Sequence, residues 1–175
     1  TVTLTALDQD NQELGTTDFT VTVSDNSFTN GTFEARPVGT GWDLSPGGAE
    51  VTLDDPFHQN HVLELGRQDA GTAVQHVTGL RPDSEHTLNL RGRVDQAGGT
   101  LGVAVNIADD TAASALLDST DWSEKTITFT TDRSGTASIV LVDWDTNTGA
   151  SQVDDLTLTA DETPDDTPTA PADPL

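Results

Sequence analysis

The chain has 175 residues and a formal net charge of -23, with 30 Asp and Glu residues against 7 Lys and Arg. A surface this anionic repels nucleic acid and anionic membranes, so we expect neither as a partner. The sequence has no cysteine, which excludes disulfides and thiolate metal sites. It also lacks an apolar run of the roughly 20 residues that a membrane-spanning helix requires.

Residues 1–25 predict a β-hairpin. Apolar residues alternate with polar ones at Val2, Leu4 and Ala6 and again from Phe19, and a polar, turn-rich tip separates the two runs. Two strands alone are marginally stable in water, so the hairpin must pack on the main domain, belong to a preceding domain or pair with another chain. It resembles the last hairpin of an immunoglobulin-like repeat or a donor-strand-like segment.

Residues 26–160 predict one all-β domain, because short alternating runs are separated by Gly, Pro and Asp turns. The predicted strands cover residues 28–34, 49–53, 61–65, 72–78, 86–94, 101–107, 125–131, 137–142 and 152–159. Strands of this length and spacing indicate a β-sandwich or jelly roll. Residues 110–117 are the only helix-like stretch, and we expect a loop there with one turn at most.

Residues 161–175 are acidic and carry four prolines, Pro164, Pro168, Pro171 and Pro174. Prolines at this density prevent regular structure, so the segment is predicted to be an extended linker or tail. Such linkers join modules in secreted multidomain proteins. Because residue 1 is Thr, we also expect the chain to be a processed or excised piece.

A set of short motifs follows a fixed order along residues 27–160. They are NGTFE at 30–34, GW at 41–42, HVLEL at 61–65, VTGLRP at 77–82, TLNLRGR at 87–93, DWSEKTITF at 121–129 and VDDL at 153–156. In this order they resemble the carbohydrate-binding modules of the family 4, 9, 16 and 22 type, which are attached to polysaccharide-degrading enzymes. The resemblance implies a galactose-binding-like jelly-roll β-sandwich that is secreted to the extracellular space or the cell surface.

The resemblance also implies a structural calcium ion that joins the first segment of the domain to its last strand. The matching ligands are the main-chain oxygens of Thr32 and His61 and the carboxylates of Glu34 and Asp154. Calcium takes about 6–8 oxygen ligands, which suits so acidic a chain. The alternative is that Glu34 and Asp154 are solvated acids at strand ends, although acids on neighbouring strands would then repel each other.

The outward residues of the middle strands predict a shallow sugar-binding groove. Its predicted lining residues are Trp144, Arg91, Arg93, Asn89, Asn106 and Gln75. Trp144 is the expected aromatic platform, because Trp42 is expected to be half-buried packing and Trp122 is expected to pack in the core. Guanidinium groups suit carboxylates and hydroxyl pairs, so a uronate-containing polysaccharide is one expected ligand. The alternative is that Arg91 and Arg93 pair with surface acids of the chain itself.

These observations favour a non-catalytic carbohydrate-binding module that holds a polysaccharide for a tethered enzyme domain. Catalysis is not expected, because neither a Gly-x-Ser-x-Gly nor a His-Glu-x-x-His motif occurs. The alternative is a structural subunit of an extracellular filament or surface layer, in which residues 1–25 lend a strand to an identical subunit. A calcium-dependent adhesion repeat is a third hypothesis.

Overall fold

The computed structural model describes residues 2–7, 13–19, 28–55, 60–144 and 149–160. Regular structure in these ranges is entirely β, and no helix there is long and apolar enough to cross a membrane. The strands are β1 (Val2–Leu7), β2 (Glu13–Phe19), β3 (Asp43–Leu44), β4 (Ala49–Asp55), β5 (Asn60–Leu65), β6 (Gly71–Val77), β7 (Glu85–Val94), β8 (Leu101–Ile107), β9 (Asp110–Leu117), β10 (Ser123–Thr130), β11 (Ala137–Asp143) and β12 (Ser151–Ala160).

Strands β3 to β12 form two antiparallel sheets of five strands each. Sheet I has the order β10-β7-β12-β5-β4, and sheet II has the order β3-β6-β11-β8-β9. Leucines of β7 in sheet I and Val103, Val105 and Ile139 in sheet II fill the interior and are almost fully buried. The inward residues alternate with outward polar ones along each strand, which is the pattern of packed sheets. The predicted all-β jelly-roll sandwich is confirmed.

The N-terminal hairpin forms a two-stranded sheet of its own. β1 pairs with β2 in antiparallel register, from Val2 opposite Phe19 to Leu7 opposite Glu13. The part of the predicted second run beyond Phe19, and the predicted linker at 161–175, lie outside the described residues. The likeness of the hairpin to an immunoglobulin-like repeat stays a prediction.

The expectation of a loop at residues 110–117 is wrong, because this segment is the edge strand β9. Ala113, Ala115 and Leu117 face the interior, while Ser114 and Leu116 face outward. Pairing with β8 supplies the backbone hydrogen bonds, and eight residues are too few for a stable helix. Tertiary context therefore overrides the helix preference of the alanines and leucines.

The predicted strand at 28–34 is also absent, since these residues form turns. Asn30 and Phe33 have φ angles of 50° and 56°, which interrupt an extended strand. The segment nevertheless meets the last strand as expected: the Leu156 N–H donates to the Gly31 carbonyl at 3.0 Å. A side chain at Gly31 would strike the Leu156 carbonyl oxygen, at 2.0 Å from its Cβ, so this contact requires glycine.

Candidate functional site

Most of the outer face of sheet II is made by the outward residues of β6, β11, β8 and β9, and the two-residue edge strand β3 adds the exposed Asp43 opposite Val74. Strand register places them in three rows across the sheet. The rows are Thr72, Val142, Gly102 and Leu116; then Val74, Val140, Ala104 and Ser114; then His76, Ser138, Asn106 and Thr111. Along these four described strands no outward position carries a carboxylate, lysine or arginine. In a chain with 30 acids this is an unusual surface, and we name it the uncharged face.

Trp144 follows β11 directly and stands on the uncharged face with 63% of its surface exposed. Its six-membered ring reaches from β11 across Gly102 on β8. Val142 is 8% exposed and lies beside the same ring. Leu116, opposite Gly102 in register, is 58% exposed. Trp144 therefore lies where strand alternation predicts, within an exposed apolar strip, and its role in binding stays a prediction.

The third row of the uncharged face is polar. The Nδ1 atom of His76 lies 2.8 Å from the Ser138 hydroxyl, and the Thr111 hydroxyl donates to the Asn106 side-chain oxygen at 3.0 Å. The rise from Val142 to Ser138 along β11 is about 13 Å. Only Asn106 of this row is predicted from the sequence. The signal for His76 and Ser138 is their outward phase in strands whose inward residues are mostly apolar.

The predicted single groove is wrong, because Asn89, Arg91 and Arg93 lie on the outer face of sheet I. Their strand, β7, is paired with β10 and β12, whereas β8 with Asn106 belongs to sheet II. The Asn89 side-chain oxygen accepts a hydrogen bond from Thr126 at 2.7 Å. Consecutive strands of a jelly roll can enter opposite sheets, so outward residues of both cannot share a surface.

The guanidinium groups of Arg91 and Arg93 both form ion pairs with acidic side chains of the chain itself. Arg91 donates to Asp155 at 3.0 Å, and Arg93 donates to Asp54 at 2.5 Å. The two guanidinium carbons lie 5.3 and 4.8 Å from the centre of the Trp122 ring. Trp122 is half-buried beneath them rather than in the core, which corrects the expectation of interior packing. The alternative for Arg91 and Arg93, pairing with surface acids, is the arrangement that the structure shows.

A buried polar network extends from this cluster across sheet I. Arg93 donates to the side-chain oxygen of Gln152 at 2.6 Å through Nη2, and Gln152 donates to Glu64 at 3.1 Å. Glu64 is 4% exposed and is held by a close ion pair with Arg67. The Arg67 hydrogen bond lowers the pKa of Glu64, because it stabilises the carboxylate. The network leaves these groups satisfied by one another.

Gln75 points inward and is 2% exposed, which contradicts its predicted place in a sugar groove. Its side-chain oxygen accepts the Thr29 N–H at 2.8 Å, and its amide nitrogen donates to the Thr29 carbonyl at 2.9 Å. Gln75 thus pairs with the Thr29 backbone as a neighbouring strand would. It fixes the opening segment against the edge of sheet II.

The predicted metal ligands gather around the start of β5. Both oxygens of Glu34 contact His61, one at 2.6 Å from its backbone nitrogen and the other at 2.8 Å from Nδ1. The next residue back, Asn60, donates to the Asp154 carboxylate at 2.9 Å. Thr32 lies on the same turn as Glu34, between Gly31 and Phe33. Glu34 and Asp154 are therefore bound to consecutive residues of one strand.

The two carboxylates of this corner differ in their electrostatics. The backbone N–H of His61 lowers the pKa of Glu34, whereas burial raises the pKa of Asp154, which is 5% exposed. Arg91, opposite Asp154 in register, gives its hydrogen bond to Asp155 instead. Within the described ranges no three His, Asp or Glu side chains lie close enough to hold a metal. An ion here would need main-chain oxygens, as Thr32 and His61 would supply, and such hard oxygen donors fit calcium.

Comparison with known proteins gives the fold of this chain. No family model matches it. The chain is 26% identical over 113 residues, 65% of its length, to a keratan-sulfate endo-1,4-beta-galactosidase of Sphingobacterium multivorum, and it spans about a quarter (26%) of that enzyme. A family 16 carbohydrate-binding module is 23% identical, with a TM-score of 0.59, over 75% of this chain and 97% of that module.

A family 61 carbohydrate-binding module in complex with β-1,4-galactotriose gives a TM-score of 0.61 at 19% identity, over 78% of this chain and 99% of that module. Both solved modules match nearly from end to end. The two-sheet sandwich described above is therefore the jelly-roll fold of carbohydrate-binding modules.

Proposed function

We propose that this chain is a non-catalytic carbohydrate-binding module that holds a polysaccharide on the uncharged face. The observation that carries the proposal is the exposed Trp144 ring beside four strands whose outward positions carry no charged group, in a chain of net charge -23. Aromatic rings pack against the C–H faces of sugars, and a few placed polar groups fix the orientation of a ligand. Trp144 supplies the ring, and the row from His76 to Thr111 supplies the polar groups.

The ligand that fits this face is a neutral polysaccharide. An acidic polymer would be repelled by the field of the chain and would meet no cation on the uncharged face. The arginines that favour uronates, Arg91 and Arg93, lie on the other sheet and already bind Asp155 and Asp54. A similar solved module is in complex with β-1,4-galactotriose, a neutral sugar, so β-1,4-galactan is the first ligand to test.

The proposed setting is an extracellular or cell-surface protein that also carries a glycan-degrading domain. The similarity to a galactosidase roughly four times longer than the matched stretch supports this setting. A module that binds the polymer raises the local concentration of substrate for the tethered domain. No catalytic role is assigned to the module.

We also propose one structural calcium ion, held by the main-chain oxygens of Thr32 and His61 and the carboxylates of Glu34 and Asp154. The ion would supply positive charge to a buried carboxylate, that of Asp154, which binds amide donors in the structure. It would join the opening turn to β5 and β12, three segments that already meet through the Gly31–Leu156 and His61–Glu34 hydrogen bonds.

Affinity electrophoresis tests the function directly. The mobility of the chain is compared in gels that contain β-1,4-galactan, xylan or polygalacturonate. We expect retardation by a neutral polymer, its loss in Trp144→Ala, and its persistence in the matched control Trp122→Ala on the opposite face. Retardation by polygalacturonate alone, abolished in the Trp122 variant, would show that the site lies on sheet I and that the proposal is wrong.

A second candidate is a structural subunit of a filament or surface layer. It is favoured by the N-terminal hairpin, whose described strands pair with neither sheet of the sandwich. Deletion of residues 1–25 would then abolish concentration-dependent assembly, measured by light scattering, and leave glycan binding unchanged. A chain that stays monomeric at all concentrations, with or without the hairpin, excludes this candidate.

A further inference from the structure

We infer that Gly102 positions the Trp144 ring for glycan binding, an inference that rests on the proposed function. A Cβ atom at Gly102 would lie 2.6 Å from Cη2 and 2.7 Å from Cζ3 of Trp144. Real Cβ atoms do not approach other heavy atoms this closely, so every other residue at 102 must displace the ring. The six-membered ring occupies the space that a side chain at 102 would fill.

The backbone does not explain this glycine. Gly102 lies inside β8, between β11 and β9, and it is not among the glycines with positive φ. Its conformation is open to any residue. Glycine inside a strand costs about 0.5–1 kcal/mol relative to alanine, so the fold alone would favour another residue. Room for Trp144 is the structural reason for Gly102.

A second strand glycine provides a contrast. Gly92 in β7 faces the interior, where a Cβ would lie 2.9 Å from the Leu117 side chain and 3.4 Å from that of Leu101. That glycine is explained by packing between the sheets. Gly102 faces outward, and the atoms above it belong to Trp144 and to Val142, whose Cγ1 would be 3.1 Å away. Its crowding therefore arises on the surface.

The geometry makes the site a low apolar shelf across three strands. Trp144 spans from β11 over Gly102, and Leu116 on β9 stands opposite Gly102 in register. Three neighbouring strands cover about 10 Å, enough to support a sugar ring against apolar groups. A side chain at 102 would lift the ring and divide the shelf between Trp144 and Leu116. Gly102 is thus a positioning residue, acting on the ligand through Trp144.

The test uses Gly102→Val and the smaller change Gly102→Ala, with Ala104→Val as control on the same face of the same strand. The exposure of Trp144 is measured by acrylamide quenching of tryptophan fluorescence. The part of the fluorescence that belongs to Trp144 is the part that is lost in Trp144→Phe. Folding is followed by the melting temperature, and binding by titration with a β-1,4-galactan oligosaccharide.

In Gly102→Val we expect altered quenching of Trp144, about fivefold weaker binding and a melting temperature that is unchanged or higher, because valine favours strands. Gly102→Ala should weaken binding less, and Ala104→Val should leave the quenching unchanged. If Gly102→Val does not fold, Gly102→Ala decides the matter by the same readings.

Unaltered quenching in the Gly102 variants overturns the inference, whether or not a glycan binds. Wild-type affinity in Gly102→Val, beside a loss of affinity in Trp144→Ala, overturns it while the proposed function stands. If Trp144→Ala itself binds glycan with wild-type affinity, the proposed binding face is wrong, and the inference falls with it.

Discussion

Replacing Trp144 with alanine should weaken polysaccharide binding by about 5- to 30-fold. A tryptophan side chain offers roughly 150–250 Å², and 63% of this residue is exposed. A sugar ring that covers one face would bury roughly half of the exposed area, or about 50–75 Å². At about 25 cal/mol per Å² this corresponds to roughly 1–2 kcal/mol of binding free energy, hence the stated fold-change.

Isothermal titration with a neutral oligosaccharide measures this loss. Removing an exposed ring should alter the free energy of unfolding by less than about 0.5 kcal/mol, so the variant stays folded and the comparison is direct. The control Trp122→Ala should retain wild-type affinity, since its ring lies on sheet I under Arg91 and Arg93. Affinity within twofold of wild type in the Trp144 variant would refute the reasoning from exposed area.

Four further perturbations test the structure. Calcium at about 100 times its Kd should add roughly 2.7 kcal/mol to the free energy of unfolding, and Asp154→Asn should abolish that gain. Equal melting curves in calcium and in chelator would contradict the proposed calcium site. In chelator, the free energy of unfolding should fall as the pH rises through the raised pKa of Asp154, because the folded state binds the proton of this carboxyl group more tightly than the unfolded state does. Asp154→Asn should remove this fall. The pH dependence that Glu64 contributes has the opposite sign, because its lowered pKa stabilises the folded state and this stability is lost as the pH falls through that pKa. A series of melting temperatures against pH should therefore show a smaller loss at low pH for Arg67→Gln than for the wild type. Gln75→Leu should cost about 1–3 kcal/mol in urea unfolding, since it removes both hydrogen bonds between the buried Gln75 side chain and the Thr29 backbone, and a cost under about 0.5 kcal/mol would contradict the pairing.

The alternation of apolar and polar residues predicts most of the strands, because each of these strands buries one face in the interior of the sandwich. β8 is the clearest case, since Leu101, Val103 and Val105 alternate with small residues and its observed bounds match the predicted range. β9 could not be predicted in the same way. Its outward Leu116 breaks the alternation, and its alanines favour a helix as much as a strand, so only pairing with β8 decides its structure.

The candidate site shows where sequence reasoning stops. The pleat tells which residues of a strand face outward, and Trp144 and Asn106 do face outward, while their role in binding stays a prediction. It does not tell which sheet a strand joins, so Arg91 and Asn106 were expected together although β7 and β8 lie in opposite sheets. Gln75 illustrates a second limit: its phase in β6 is inward, but only the structure shows the Thr29 backbone that satisfies its amide.

The exposed apolar shelf also bears on the colloidal behaviour of the protein. Trp144 and Leu116 form a patch through which two copies could adhere, and the net charge of -23 keeps copies apart in dilute buffer. At about 1 M salt the Debye length shrinks to roughly 3 Å, and that mutual repulsion disappears. In brine, then, a sugar polymer and a second copy of the protein would compete for the same tryptophan.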